Sequence, residues 1–208
     1  LFTGIVEELG EITGVERLPD GARLTVRGPL VTTDAKHGDS IAVSGVCLTV
    51  VDVDGESFTV DVVHETLRRS SLSKAERGKT VNLERAMAAD GRFGGHVMQG
   101  HVDGTGVFLS KDSDGLTHFA FPPTLGRYVV EKGSIAVDGV SLTVAGIDKE
   151  EFSIALIPTT LALTTLGRTE PGDLVNIEVD VLAKYVEKLA AVHLPGTAVE
   201  NGEGKEDA

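Results

Sequence analysis

The sequence predicts an all-β protein: two tandem six-stranded antiparallel Greek-key barrels related by duplication, plus a single C-terminal α-helix. Three observations carry that expectation. Among 208 residues there are 25 Gly but only seven Phe, two Tyr and no Trp, while Thr and Val recur throughout, a composition suited to short strands and tight turns. Laid on itself at an offset of 94 residues, the chain matches itself. Within each copy, short apolar runs alternate with Gly and Asp at intervals of roughly 8 to 12 residues.

The strongest self-match sets Val43-Ser44-Gly45-Val46-Cys47-Leu48-Thr49-Val50 against Val137-Asp138-Gly139-Val140-Ser141-Leu142-Thr143-Val144, identical at six of eight positions. The same offset pairs Ser40-Ile41-Ala42-Val43 with Ser134-Ile135-Ala136-Val137, residues 58–67 with 152–161, and Val81-Asn82-Leu83-Glu84 with Val175-Asn176-Ile177-Glu178. Near the start the offset becomes 96, where Gly4-Ile5-Val6 meets Gly100-His101-Val102. A period near 95 is too long for a solenoid unit of about 20 to 50 residues and marks a duplicated domain. The halves are placed at 1–90 and 91–180.

In chain order, the strand candidates of the first half are Leu24-Thr25-Val26, Ser40 to Val43, Val46 to Val51, Ser57 to Val62 and Thr80 to Leu83, with about six strands expected per half. Six short strands close most naturally as a barrel, because closure removes exposed edges. A short helical piece is expected near Glu65 to Ser71 and again near Thr159 to Thr165. With so few aromatics, core volume is expected from Val, Leu, Ile and Ala. After the second copy, Asp180 can cap a helix over 181–194 in which Leu182, Tyr185, Val186 and Leu189 recur at helical spacing. That helix has no counterpart in the first half, so it either lies on a barrel or meets copies of itself, and self-association is the reading adopted. The tail, 195–208, has four acids, one Lys and almost no apolar content, and disorder is expected of it.

With 19 basic against 32 acidic residues, the net charge of −13 lacks the footprint of a nucleic-acid or anionic-membrane binder. No window approaches the 18 to 20 apolar residues of a membrane span. A lone cysteine, Cys47, and a start without a basic and apolar leader point to the cytoplasm. A small molecule is left as the expected partner.

Each copy places a small polar group, Cys47 or Ser141, two residues before a Thr, Thr49 or Thr143. On a strand such positions share a face. Matched pairs of this kind suit the edge of a flat heterocycle, and two equal pockets imply two equal ligands. The plainer reading is that strand Thr and Ser serve cross-strand or turn bonds, and that Cys47 is a small core hydrophobe.

Phe2-Thr3-Gly4-Ile5-Val6-Glu7, Gly45-Val46-Cys47-Leu48-Thr49-Val50, Gly94-Gly95-His96-Val97-Met98-Gln99-Gly100-His101-Val102-Asp103, Asp138-Gly139-Val140-Ser141-Leu142-Thr143-Val144, and Leu156-Ile157-Pro158 with Thr164-Thr165-Leu166-Gly167 together resemble the riboflavin synthases of the alpha-chain type, which carry two lumazine-binding repeats. The resemblance covers roughly residues 1–190. It implies a dismutation in which two molecules of 6,7-dimethyl-8-ribityllumazine exchange a four-carbon unit, giving riboflavin and 5-amino-6-(ribitylamino)uracil, with no metal or organic cofactor. It further implies a homotrimer held partly by the C-terminal helix, with the active site between the N-terminal barrel of one chain and the C-terminal barrel of its neighbour. Lumazine synthase is a candidate partner. A non-catalytic lumazine- or flavin-binding antenna protein on the same fold is the alternative.

By that resemblance, Gly4, Ile5, Val6, Ser40, Cys47, Leu48, Thr49, Asp61, Val62, Val63, His64, Glu65, Thr66, Gly100, His101 and Val102 hold the lumazine of the N-terminal barrel. Lys132, Ser141, Leu142, Thr143, Leu156, Ile157, Pro158, Thr159, Thr160 and Leu161 hold its counterpart. His101 is the first candidate for acid–base work, since imidazole titrates near neutrality and Ile5 stands at the equivalent position. Cys47 and Ser141 either add to the ring or line the pockets. Asp138 and Asp180 match family positions near the reacting pair; otherwise they are a turn residue and an N-cap. His96 and His101 have a spacing that a metal pair could share, but no Cys or carboxylate set completes it.

Overall fold

A computed structural model of the chain describes residues 1–113 and 115–191. The first copy contributes β1 (Glu8–Leu18), β2 (Gly21–Arg27), β3 (Ser40–Val43), β4 (Val46–Asp54), β5 (Ser57–Val63) and β6 (Thr80–Arg85). The second contributes β7 (Gly104–Lys111), β8 (Leu116–Ala120), β9 (Ser134–Val137), β10 (Val140–Ile147), β11 (Glu151–Ala155) and β12 (Leu174–Val179). Each set closes into an antiparallel barrel in the order β1-β2-β5-β4-β3-β6, repeated six strands later. The irregularities match as well: register shifts at Ile12/Gly14 and Val50/Asp52 recur at Phe108/Ser110 and Val144/Gly146. Bulges bend a strand and increase its twist, which helps so small a sheet close.

The alternation read from the sequence decides what fills each barrel. In β4, Val46, Leu48 and Val50 turn inward while Cys47 and Thr49 face out. The N-terminal core is aliphatic apart from Phe58, as composition leads one to expect. The C-terminal core is not: Phe108, Phe119, Phe121 and Phe152 cluster there, with Phe119 and Phe152 stacked at 5.4 Å. Overall scarcity of aromatics concealed their concentration in one copy.

The helical pieces appear as α1 (His64–Arg69) and α2 (Pro158–Leu163), each followed by a short 3-10 turn. The last helix is α3 (Val181–Ala190), with the Asp180 carboxylate accepting from the Leu182 N–H at 3.0 Å. Residues 192–208 lie outside the described residues, and with them the expected disordered tail and the end of the expected helix. Polar ties hold α3 to the C-terminal barrel: Lys184 donates to Asp103 at 2.5 Å, and Glu187 accepts from Tyr128 at 2.6 Å and pairs with Arg127. Its apolar side faces away, with Leu182, Tyr185, Val186 and Leu189 all at least 60 % exposed.

The barrels meet along a pseudo-twofold seam. The hairpin turns Ser44-Gly45 and Asp138-Gly139 pack against each other so closely that a Cβ on Gly45 would lie 2.7 Å from the Gly139 nitrogen. The Asn82 side chain donates to the Asp138 carbonyl and accepts from the Thr165 N–H; Asn176 donates to the Ser44 carbonyl and accepts from the Ser71 N–H. A small apolar cluster of Phe2, Ala42, Met98 and Ala136 completes the contact.

Candidate functional site

The segment leading into each barrel crosses to the other one. The Gly4 carbonyl accepts from the Ser141 N–H at 2.8 Å, and the Gly100 carbonyl from the Cys47 N–H at 2.9 Å. Phe2 and Met98 exchange backbone hydrogen bonds between the two segments. Both glycines need the left-handed region, with φ of +78° and +74°, and neither has room for a Cβ: one would sit 2.6 Å from Ser141 Cβ or Cys47 Cβ respectively. Two buried carboxylates pin the crossings. Glu84 accepts from the N–H groups of Thr3 and Gly4 and from the Thr3 hydroxyl; Glu178 accepts from the N–H groups of Gln99 and Gly100. Burial holds the pKa of both above the ordinary carboxylate value, and the backbone donors oppose that only in part.

Two grooves result. The first, of about 170 Å³, is lined by Val46, Cys47, Glu65, Thr66, Arg69, Ser70 and Gly100-His101-Val102. The second, of about 290 Å³, is lined by Lys132, Ser141-Leu142-Thr143, Ala145, Ala155, Ile157 and Thr160. They share two repeat-equivalent positions: Cys47 answers to Ser141, and Thr66 on α1 to Thr160 on α2. The grooves differ in charge. Glu65 is held by Arg68 and Arg69 in the first, which lowers its pKa, whereas α2 has no carboxylate. Lys132 enters the second at φ +63°, where the first copy has Gly38 at +91°. A non-glycine residue in that region costs strain, which favours a functional reason for its side chain.

His96 joins the second groove by the crossing segment. Its Nδ1 lies 2.7 Å from the Ser141 hydroxyl, and its buried Nε2 has no hydrogen-bond partner among the described residues. Burial lowers the imidazole pKa, and the charge of Asp180 opposes that. A neutral imidazole on a hydroxyl is an arrangement able to accept its proton. Sequence reading weighed His96 only as half of a metal pair; the signal it lacked was the chain crossing that brings residue 96 to Ser141. No group of three metal-ligating side chains occurs among the described residues.

The sequence-predicted residues divide differently from the expected grouping. Gly4 and Val6 belong against the C-terminal barrel: Gly4 binds Ser141 and Val6 packs on that barrel's core, because the lead-in segments are exchanged. Cys47, Glu65, Thr66, Gly100, His101 and Val102 do come together. Leu48 and Val62 do not join them, since strand alternation turns both into the core. Asp61 is paired with Arg23 on the outer barrel face at 2.7 Å, and the His64 ring with the Pro19 carbonyl at 2.9 Å. Thr49 and Val63 are exposed. Ser40 lines a separate cavity of about 610 Å³ with Ile5, Glu84 and Arg85.

In the second groove Lys132, Ser141, Leu142, Thr143, Ile157 and Thr160 line the wall; Leu156 packs on the core, Pro158 and Thr159 are exposed, and Leu161 lines a different cavity. Asp138 lines neither groove. It is a buried turn residue in the seam, at φ +47°, whose carboxylate accepts from the Asn176 N–H at 2.7 Å. Asp180 caps α3 and acts electrostatically on His96.

Fold and site together define a tandem-barrel protein with one small groove per repeat, the first lined in part by a segment of the second repeat. Lumazine-binding domains match residues 3–86 and 99–180. Proteins named riboflavin synthase are 58% identical in Mycobacterium tuberculosis (91% of this chain, 98% of that one), 44% in Bacillus subtilis (89% and 88%) and 42% in Schizosaccharomyces pombe (93% and 96%). The chain belongs to the riboflavin synthase family. Crystal structures of LumP with 6,7-dimethyl-8-(1'-D-ribityl)lumazine and with riboflavin superpose at TM-scores of 0.76 and 0.79, each covering 86% of this chain and 99% of that one, and at 23% and 24% identity they show likeness of fold.

Proposed function

We propose that the chain is an enzyme of riboflavin synthesis that catalyses the dismutation of two 6,7-dimethyl-8-ribityllumazine molecules to riboflavin and 5-amino-6-(ribitylamino)uracil. One observation carries the reading: each repeat has a groove in which the Cys47/Ser141 position meets the Thr66/Thr160 position, as a reaction between two identical molecules requires. An antenna protein needs one groove; here neither copy has lost its Gly-Val-x-Leu-Thr-Val strand or its crossing glycine. The work of such a site is positioning, which contributes up to about 7–11 kcal/mol when two reactants are well oriented.

The grooves share no lining residue, and the reacting lumazines must touch. A groove of one kind is therefore met by a groove of the other kind on a second copy. The exposed apolar side of α3 supplies the contact surface, and a homotrimer is the assembly inferred. Cys47 and His101 act at the N-terminal-barrel groove; Ser141, Lys132 and His96 act at the C-terminal-barrel groove, with the hydroxyl or thiol adding to the ring or holding its edge. A cytoplasmic location accords with the free thiol, and lumazine synthase is the partner that supplies the substrate. Incubating the purified chain with 6,7-dimethyl-8-ribityllumazine tests the activity: riboflavin absorbance should appear, and binding without conversion would favour the antenna reading instead.

A further inference from the structure

A cavity of about 240 Å³ lies on the pseudo-twofold axis, apart from both grooves, with which it shares no lining residue. Its walls come from both copies, in equivalent pairs: Ser44 with Asp138, Ser71 with Thr165, Lys74 with Arg168 and Lys79 with Asp173. Lys74 ends the 3-10 turn after α1, and Arg168 caps the one after α2, so the repeat delivers a cation to this axis twice. Lys79 adds a third. Among the described residues none of the three has a carboxylate within ion-pair distance, in a chain whose net charge is −13.

We propose that this axial cavity binds a phosphate group, with Lys74, Arg168 and Lys79 as its cationic ligands and the Ser71 hydroxyl on its wall. The two acids on its wall each accept a backbone hydrogen bond. The Asp173 carboxylate accepts from the Glu170 N–H at 2.8 Å, and Asp138 from the Asn176 N–H at 2.7 Å. Burial also favours the protonated form of Asp138, a tendency that Asp173 reinforces and that Lys79 and the Thr165 hydroxyl oppose, so its charge detracts less from the cavity. Guanidinium and ammonium groups around hydroxyls are the ordinary recognition chemistry of phosphate. Since the ligands come from both barrels, a bound phosphate ties the seam together and stabilises the folded chain by mass action.

Thermal unfolding of the full chain, titrated with inorganic phosphate against sodium chloride of equal ionic strength, tests this. The native chain should gain a saturating rise in Tm of a few degrees beyond the chloride control, and so should Lys149→Gln, which changes a lysine on an exposed turn. The Lys74→Gln/Arg168→Gln variant should lose that rise, and Lys79→Gln alone should weaken it, which gives the same reading if the double variant does not fold. No rise beyond chloride, or an equal rise in the native chain and these variants, would overturn the proposal.

Discussion

The most exacting residues in the site are two glycines with no functional group. Gly100 is left-handed and has Cys47 against the position of its missing Cβ, whereas Gly55 is left-handed with open space around it. Gly55→Ala should therefore cost only the conformational penalty, about 1 kcal/mol. Gly100→Ala should cost clearly more and reduce activity, because the segment carrying His101 must move; urea unfolding and turnover read the two effects. Cys47→Ser, which keeps the geometry of the equivalent Ser141, should slow turnover without abolishing it. Complete loss of turnover with intact ligand binding would instead make the thiol the nucleophile. The paired glycines, Cys47 and Ser141 were legible in the repeat. Glu84, Glu178, Asn82 and Asn176 stood in the same repeat, but their use depends on contacts across about 55 to 130 residues of chain, which no local pattern encodes. For Asp138 the turn reading before Gly139 was legible, but that the turn faces the other barrel was not.

Among the elements, α3 departs furthest from the usual amphipathic logic. A helix on a domain normally buries its apolar stripe; α3 docks through Lys184 and Glu187 and leaves Leu182, Tyr185, Val186 and Leu189 outward. Each such side chain, once covered by another copy, contributes about 1.5–3 kcal/mol. Leu182→Glu/Leu189→Glu should reduce the mass measured by light scattering from about three chains to one, with the barrels still folded by circular dichroism. An unchanged mass would remove α3 from the assembly. The helix, its cap and its apolar spacing could be read directly from the sequence, as could β2 to β6. The strand least visible was β1, the longest of the set, because Gly10, Gly14 and three glutamates interrupt its apolar positions and its inward residues emerge only once the bulge at Ile12/Gly14 is known.

At the scale of the whole molecule, the seam makes stability depend on pH. Burial pushes Asp138 up to about 7 from an ordinary 3.8, so between those values the folded chain holds a proton that the unfolded chain has released. Stability contributed by that proton is complete below about 3.8 and is lost as pH rises through about 7. At 1.36 kcal/mol per pKa unit the loss is as much as about 4 kcal/mol. Asp138→Asn suits the left-handed turn and keeps an acceptor for the Asn176 N–H. In phosphate-free buffer it should raise Tm at pH 8 by several degrees and flatten the decline between pH 5 and 8, whereas an undiminished decline would place its origin in other groups.

The duplication read from sequence accounts for two barrels and two grooves, but the exchange of lead-in segments and the separation of the grooves are tertiary facts. They make the central claim one of assembly: the reaction needs the Cys47 groove of one chain and the Ser141 groove of another. Thr66→Trp and Thr160→Trp fill the two grooves from equivalent positions on α1 and α2. Each variant alone should be inactive. Riboflavin formation by assemblies co-expressed from both variants measures the claim most directly, because a mixed assembly contains pairings of two open grooves. Recovery of a substantial fraction of native turnover is the result predicted, and a mixture as inactive as its components would contradict it.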